Sequence, residues 1–202
     1  MNTCYIVGAG DFYGSFTPDD TDLVIAADGG YTSLLKRNIR CDLLIGDMDS
    51  LGDVPSGVKF IKHPVEKDET DTYLAYLHGK SLGYENFEIY GGVGGREDHT
   101  FANYCLLAKI KEEGMRATLF GNKTQSFVIK NEAVKLSGRE GDYISVFALG
   151  GTARSVNIKG LYYEVEGAAL TYDFPLGVSN RFTSREAEIS VADGVLLIIV
   201  NF

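Results

Sequence analysis

The stretch Phe87-Glu88-Ile89-Tyr90-Gly91-Gly92-Val93-Gly94-Gly95-Arg96-Glu97-Asp98-His99 changes character twice within thirteen residues. An apolar run of strand type, Phe87 to Tyr90, gives way to a loop holding four glycines. A helix then starts near Asp98 or His99, carries Phe101, Cys105 and Leu106 inward, and stops at Gly114. Strand, glycine loop and helix in that order form the repeating unit of a parallel sheet, whose strands need crossover connections. Upstream the same grammar recurs. Tyr5 to Val7, Leu23 to Ala27, Leu43 to Ile45 and Val58 to Ile61 are short apolar runs, and Ala117 to Phe120 follows the second helix. Thr70 or Asp71 caps a further helix that runs through Leu74, Leu77 and Lys80 to Gly83, with apolar residues at three-residue spacing.

After Asn122 the pattern changes. Gln125 to Ile129, Ala133 to Leu136, Tyr143 to Ala148, Ala153 to Ile158, Ala168 to Thr171 and Glu186 to Val191 are strand-like, with turn residues between them and no amphipathic helix. Asp193-Gly194, between Ile189 to Val191 and Val195 to Val200, is a hairpin signal. The expected fold is therefore α/β plus all-β. Residues 1–122 form a mostly parallel sheet with crossover helices, and residues 123–202 an antiparallel β-sandwich.

Composition narrows the class. The chain has 202 residues, of which 45% are hydrophobic, enough for a real core. A net charge of −9 argues against a large nucleic-acid or anionic-membrane surface. Cys4, Cys41 and Cys105 are odd in number, far apart and without paired spacing, which fits a reducing cytoplasm better than a disulfide framework or a zinc site. No basic region followed by a long apolar stretch opens the chain, and Val195 to Val200 is too short to span a bilayer. A soluble cytoplasmic protein is expected.

The acidity is concentrated at the ends of apolar runs, in Ala27-Asp28-Gly29-Gly30, Gly46-Asp47-Met48-Asp49-Ser50, Lys67-Asp68-Glu69-Thr70-Asp71 and Gly94-Gly95-Arg96-Glu97-Asp98-His99. In open α/β sheets ligands sit outside the carboxyl ends of the strands. Two carboxylates about 4 Å apart repel by roughly 4 kcal/mol at an effective dielectric near 20, so several at one rim call for a cation. Mg²⁺, shared between a few carboxylates and phosphate oxygens, is the first candidate. Asp47 and Asp49, two apart on an extended segment, point the same way toward one ion, while Gly46 permits close approach. Asp68 and Asp71 are candidate metal or metal-water ligands, although acids there also serve a helix start. Lys67 is placed to neutralise phosphate. The glycine loop offers backbone amides to a phosphate chain and Arg96 a forked donor. His99 orients Asp98 or caps the helix.

Two familiar signatures fail. Gly79-Lys80-Ser81 falls at a helix end, with Leu74 where a P-loop needs its first glycine. Gly8-Ala9-Gly10 with Asp28 suggests a dinucleotide fold, but Tyr13 occupies the third glycine position. The Asp11 to Asp20 segment also contains Pro18 and is too short for a crossover helix with its loops.

The four acidic motifs, in this order and spacing, resemble the thiamine pyrophosphokinase family. Gly160-Leu161 with Tyr163, and Gly177-Val178-Ser179-Asn180, resemble the family's thiamine-binding half. The resemblance implies a catalytic α/β domain at 1–122 for ATP and Mg²⁺ and a thiamine-binding β-sandwich at 123–202. It implies a homodimer with thiamine where the subunits meet. The implied reaction moves the terminal diphosphate of ATP to the thiamine hydroxyl, with attack at the β-phosphorus and release of AMP. Under it, Asp47, Asp49, Asp68 and Asp71 hold the metal. Gly46, Ser50, Lys67, Thr70, Gly94, Arg96 and His99 serve the nucleotide, with Asp28 at the same rim. Arg96 and Asp98 act near the transferred group, Asp71 or Asp98 takes the hydroxyl proton, and Ser179 and Asn180 line the thiamine pocket. Glu66-Lys67-Asp68 departs from the family's usual acid–polar–acid opening of the third motif. The chain also has no tryptophan, which animal relatives stack on thiamine, so Tyr172, Phe174 or Phe182 is expected to supply that face. A metal-dependent phosphohydrolase or nucleotidyltransferase using the same carboxylates is the alternative, and a non-catalytic nucleotide-binding module a third reading.

Overall fold

The computed structural model of the protein describes residues 2–47, 57–63 and 68–202. They group into two compact units, Met1–Leu106 with Gly114–Asn122, and Leu107–Glu113 with Lys123–Phe202.

In the first unit the strands are β1 (Thr3–Val7), β2 (Leu23–Ala27), β3 (Leu43–Gly46), β4 (Lys59–Lys62), β5 (Asn86–Tyr90) and β6 (Arg116–Gly121). They are paired in parallel in the order β6-β5-β1-β2-β3-β4. Every residue of β1 is buried, as a strand covered on both faces requires. The helices are α1 (Gly30–Leu35), α2 (Asp71–Ser81) and α3 (Glu97–Glu112), the last counted with the second unit from Leu107 on. Tyr5 and Val7 cluster with Tyr31 and Leu34 of α1. Cys4, on the opposite face by the period of two, lies against α2. There a Cβ on Gly79 would come within 2.7 Å of the Cys4 sulfur, so this glycine serves close packing and not a phosphate loop.

No helix joins β1 to β2. The connection is an irregular strap held by aromatic side chains: the Phe16 ring stacks on Tyr5 at 4.1 Å and the Phe12 ring on Tyr90 at 5.1 Å. Arg40 donates to the carbonyls of Pro18, Asp19 and Asp22. The dinucleotide-type crossover is thus absent, as expected. The chain winds outward from β1 to β4 and returns to β5 on the other side of β1, which makes the β1/β5 junction the topological switch point.

In the second unit β12 (Gly177–Arg181), β9 (Tyr143–Ala148), β14 (Val195–Asn201) and β7 (Thr124–Lys130) pair in that order. A second sheet runs β11 (Val165–Leu170), β10 (Ala153–Lys159), β13 (Glu186–Ser190), β8 (Ala133–Ser137). All these pairings are antiparallel. Ile144, Val146 and Ile198 from one sheet share a core with Val156, Ile158 and Ile189 from the other, the sandwich that alternating sequence predicts.

Three expectations are corrected. Asp193-Gly194 is not a hairpin turn, because β13 pairs with β8 and β10 while β14 pairs with β7 and β9. Turn chemistry marks a chain reversal without deciding whether its flanks pair, and here the chain passes from one sheet to the other. In α3 the inward residues are Asn103, Leu106, Leu107 and Ile110, whereas Phe101 is 65% exposed and Cys105 is exposed. In α2 the buried positions are Thr72, Ala75, Tyr76 and Gly79, with Leu74 and Leu77 only half-buried.

Candidate functional site

At the carboxyl ends of β1 and β5 two glycine turns lie back to back. The N–H of Gly8 donates to Tyr90 O at 2.8 Å, that of Gly10 to Gly91 O at 2.9 Å, and that of Asp11 to Val93 O at 3.2 Å. A Cβ on Gly8 would sit 2.6 Å from Gly91 O, so side chains are excluded from this contact. Gly8 also ties in the other motifs. Its Cβ position is 3.6 Å from the Thr72 hydroxyl in the first turn of α2, and that of Gly30 is 3.0 Å from Gly8 O. Asp28, just past β2, has φ +50 and donates its N–H to Ile45 O at 2.8 Å. A Cβ on Gly46 would lie 3.2 Å from Asp28 Cα, so Asp28 and Asp47 leave adjacent strand ends side by side. The structure therefore gathers Asp28, Gly46, Asp47, Thr70, Asp71 and the glycine loop with Gly94 on one rim, at the switch point. Asp49, Ser50 and Lys67 lie outside the described residues.

The capping question at α2 has a definite answer. Thr70 is the N-cap, its hydroxyl accepting from Tyr73 N at 3.2 Å. Asp71 is the first helical residue and Asp68 lies exposed before the helix, so neither acid is that cap. Among the described residues no group of three or more His, Cys, Asp or Glu side chains is close enough to hold a metal ion. The rim donors are hard carboxylate oxygens, which suits Mg²⁺, an ion that keeps much of its shell for water and phosphate.

Beyond the loop, Arg96 grips Asp98 with both ends of its fork, Nε to Oδ1 at 3.1 Å and Nη2 to Oδ2 at 2.5 Å. The guanidinium hydrogen bond holds the Asp98 carboxyl below its ordinary range, helped by the His99 N–H at 2.9 Å. It is thus the backbone of His99 that meets Asp98. A carboxylate held this way is a weak proton acceptor.

In the second unit, Ser179 is exposed with φ +59 at a register shift between Gly177 and Asn180, and its N–H donates to the Ser145 hydroxyl at 3.1 Å. Asn180 is buried. Its Oδ1 accepts from Tyr163 N at 2.9 Å and its Nδ2 donates to Tyr163 O at 2.7 Å, so the amide fixes Tyr163 as a paired strand would. Asn180, Tyr162, Tyr163, Glu164 and Leu176 line a cleft of about 380 Å³. A smaller one of about 170 Å³ is lined by Phe147, Thr171, Tyr172, Asp173 and Phe174. Tyr172 and Phe174 are exposed, but Phe182 is 1% exposed beneath Gly138, which removes it as a stacking face.

Comparison with known proteins accounts for both units. The thiamin pyrophosphokinase catalytic domain matches residues 17–119, and the thiamin pyrophosphokinase vitamin B1 binding domain matches residues 128–196. The chain belongs to the thiamine pyrophosphokinase family. A thiamine pyrophosphokinase of Bacillus subtilis is 24% identical over 188 residues, covering 90% of this chain and 88% of the relative. Thiamin pyrophosphokinase 1 of Caenorhabditis elegans is 23% identical, covering 87% and 77%. Among solved structures, a thiamine pyrophosphokinase from Bacillus subtilis superposes with a TM-score of 0.86 at 21% identity, over 100% of this chain and 99% of that one. Thiamin pyrophosphokinase from Candida albicans gives 0.75 at 16% identity, over 100% and 89%.

Within this thiamine pyrophosphokinase fold, one group escaped the sequence reading and another was weighed there only as a dinucleotide fingerprint and set aside. Tyr162 sits under the Arg181 guanidinium, 4.2 Å from the ring centroid, and flanks the larger cleft beside Tyr163. Gly8 to Gly10 lie in the rim without meeting a nucleotide fingerprint. Their signal was a short glycine turn directly after the first buried strand, which gains meaning only once β5 is known to lie beside it.

Proposed function

We propose that the chain transfers the terminal diphosphate of ATP to the hydroxyl of thiamine, with ATP and Mg²⁺ at the rim of the first unit and thiamine at the aromatic clefts of the second. The observation that carries this reading is the ordered match of a catalytic and a vitamin B1 binding domain across both units. The thiamine oxygen loses its proton and bonds to the β-phosphorus while the bond from that phosphorus to the α-phosphate oxygen breaks, releasing AMP. The protein's part is positioning and charge placement. The glycine loop presents peptide N–H groups to phosphate oxygens, and Arg96 offers a planar fork to the same group. Asp47, Asp49, Asp68 and Asp71 are the carboxylates that would hold Mg²⁺, which when bound neutralises polyphosphate charge, with Asp28 on the nucleotide side of the same rim. Ser50, Lys67, Thr70, Gly94 and His99 complete the nucleotide side. Asp71 or Asp98 takes the hydroxyl proton, and the Arg96 fork, which holds the Asp98 carboxyl low, makes Asp98 a poor acceptor for as long as that pair is closed.

On the thiamine side, Asn180 lines the larger cleft with Ser179 next to it in the chain, and Tyr172 or Phe174 replaces the missing tryptophan. Asp173 beside them complements a cationic ring. The same reading includes a homodimer in a reducing cytoplasm. Tyr162, Tyr163, Tyr172, Phe174 and Leu176 are all at least half exposed, an apolar surface of the kind that marks an interface. Cys4, Cys41 and Cys105 are free thiols. Among the described residues no helix is long and apolar enough to cross a membrane. The phosphohydrolase or nucleotidyltransferase alternative has no use for a vitamin B1 binding half. Incubation with ATP, Mg²⁺ and thiamine should yield AMP and thiamine diphosphate. ADP with thiamine monophosphate would overturn the assignment.

A further inference from the structure

Three consecutive carbonyls of the glycine loop are held by three different donors. Gly10 N–H meets Gly91 O at 2.9 Å, Asn103 Nδ2 meets Gly92 O at 2.8 Å, and Asp11 N–H meets Val93 O at 3.2 Å. Two of the donors are backbone, supplied by the turn after β1. The third is a side chain reaching across from α3. Asn103 is only 5% exposed and is the one polar residue on the buried stripe formed with Leu106, Leu107 and Ile110. Burying an amide among aliphatic neighbours is unfavourable unless it makes a hydrogen bond. The loop is pressed closely onto it: a Cβ on Gly92 would lie 3.0 Å from Asn103 Nδ2 and 2.7 Å from Leu119 Cδ1.

A trans peptide is planar, so its N–H points opposite to its C=O. Holding the carbonyls of Gly91, Gly92 and Val93 therefore fixes the directions of the N–H groups of Gly92, Val93 and Gly94. We propose that Asn103 is a positioning residue for the nucleotide phosphates, acting through the Gly92–Val93 peptide that it locks in one orientation. Without it this peptide is free to rotate, and its N–H no longer faces away from α3. The proposal rests on the reading that the glycine loop holds ATP phosphates. The donor had to be a short amide: a hydroxyl falls short of the carbonyl, and an aliphatic residue leaves Gly92 O without a partner in a buried place.

The test compares wild type with Asn103→Leu, which keeps the branched side-chain shape but is bulkier and has no donor, and Asn103→Ser, smaller and better tolerated. Calorimetry with Mg²⁺ and an ATP analogue carrying a methylene between the α and β phosphates gives nucleotide affinity without turnover. The expected result is analogue binding weaker by roughly tenfold or more in Asn103→Leu, with the KM for thiamine within about twofold of wild type. A loss of stability alone lowers the active fraction and leaves the affinity of the folded fraction unchanged. Unchanged analogue affinity in a folded Asn103→Leu protein overturns the proposal, as does an equal loss for thiamine and nucleotide. If Asn103→Leu does not fold, Asn103→Ser is judged by the same criterion. A wild-type protein that binds the analogue yet makes no thiamine diphosphate overturns the assigned reaction only, and the affinity ratio still decides the role of Asn103. A wild-type protein with no affinity for the analogue overturns both.

Discussion

Each unit uses one buried asparagine beside its candidate site, and the two do different work. Asn103 holds a single carbonyl of a loop that offers only backbone, whereas Asn180 pairs with both backbone groups of Tyr163 and so presents an aromatic side chain. The rim of the first unit is glycine, peptide dipoles and exposed charge. The clefts of the second are rings and aliphatic walls. Polyphosphate oxygens want many donors at short range, which side chains would obstruct, while a heteroaromatic cation wants flat polarisable area with a carboxylate nearby. Substitutions at the rim should therefore act on nucleotide and chemistry, and substitutions in the clefts on the acceptor alone.

The largest effect is expected at Asp71. Asp71→Asn is nearly isosteric and keeps the Thr70 cap, so stability should fall by less than about 1 kcal/mol, the value of a charge in the first helical turn. Activity in the ATP and thiamine assay should fall by roughly a hundredfold or more if the carboxylate takes the proton or holds metal. A chemical denaturation curve run beside the assay separates the two. Equal loss of both would reduce Asp71 to a servant of α2 and remove it from the site.

A second pair compares the regions at nearly equal φ. Gly91 in the rim and Gly167 in the sandwich have φ of +63 and +64, but Gly91 is packed onto Gly8 and Gly167 has open space around its Cβ position. Gly167→Ala should cost about 1 kcal/mol, the left-handed penalty alone. Gly91→Ala must also displace the Gly8 carbonyl, and its loss should reach roughly 2 to 4 kcal/mol with weaker ATP binding. Similar unfolding midpoints for the two variants would show that the back-to-back contact relaxes easily and does not fix the rim.

The contrast also explains what the sequence made legible. Strands β2 and β9 begin and end where their apolar runs do, because a buried strand writes its burial into every second residue or all of them. β12, with Ser179, Asn180 and Arg181, has no such run, since it is an edge strand broken by a left-handed residue. α1 is six residues long and opens on glycine, too short for a period to emerge. The rim motifs were found because acids after apolar runs are a local pattern. Asn103 was not, since one asparagine in an amphipathic helix reads as surface until the buried stripe is assigned to residues 103, 106, 107 and 110. The strap from Gly8 to Asp22 was legible only as a non-helix. The stacking of Phe12 and Phe16 on Tyr90 and Tyr5 depends on strand order, which no window of sequence contains.

In the acceptor half a smaller and more selective effect is expected. Tyr172→Ala should raise the KM for thiamine by about tenfold and leave that for ATP unchanged, in keeping with roughly 1 kcal/mol or more for a cation over a ring. Ser179→Ala should do the same more weakly, because the Ser179 backbone N–H, and not its hydroxyl, makes the bond to Ser145. A rise in the ATP requirement with either variant would dissolve the division of labour between rim and clefts.

The smallest effect lies at Asp98, where it tests electrostatics without disturbing the fold. Arg96 lowers the Asp98 carboxyl below its ordinary value, first through the hydrogen-bonded fork. A group whose pKa is depressed on folding adds stability above its unfolded pKa, near about 3.9, and loses it as pH falls through the folded value. The window is therefore acidic and the contribution absent from any change between neutral and alkaline pH. In Arg96→Gln the fork and its charge are gone, so the Asp98 carboxyl resonance should titrate closer to the ordinary value, with little change in unfolding at neutral pH because both side chains are largely exposed. If the resonance titrates identically in both proteins, Arg96 is not what holds Asp98 low, and the fork is no reason to discount Asp98 as the proton acceptor.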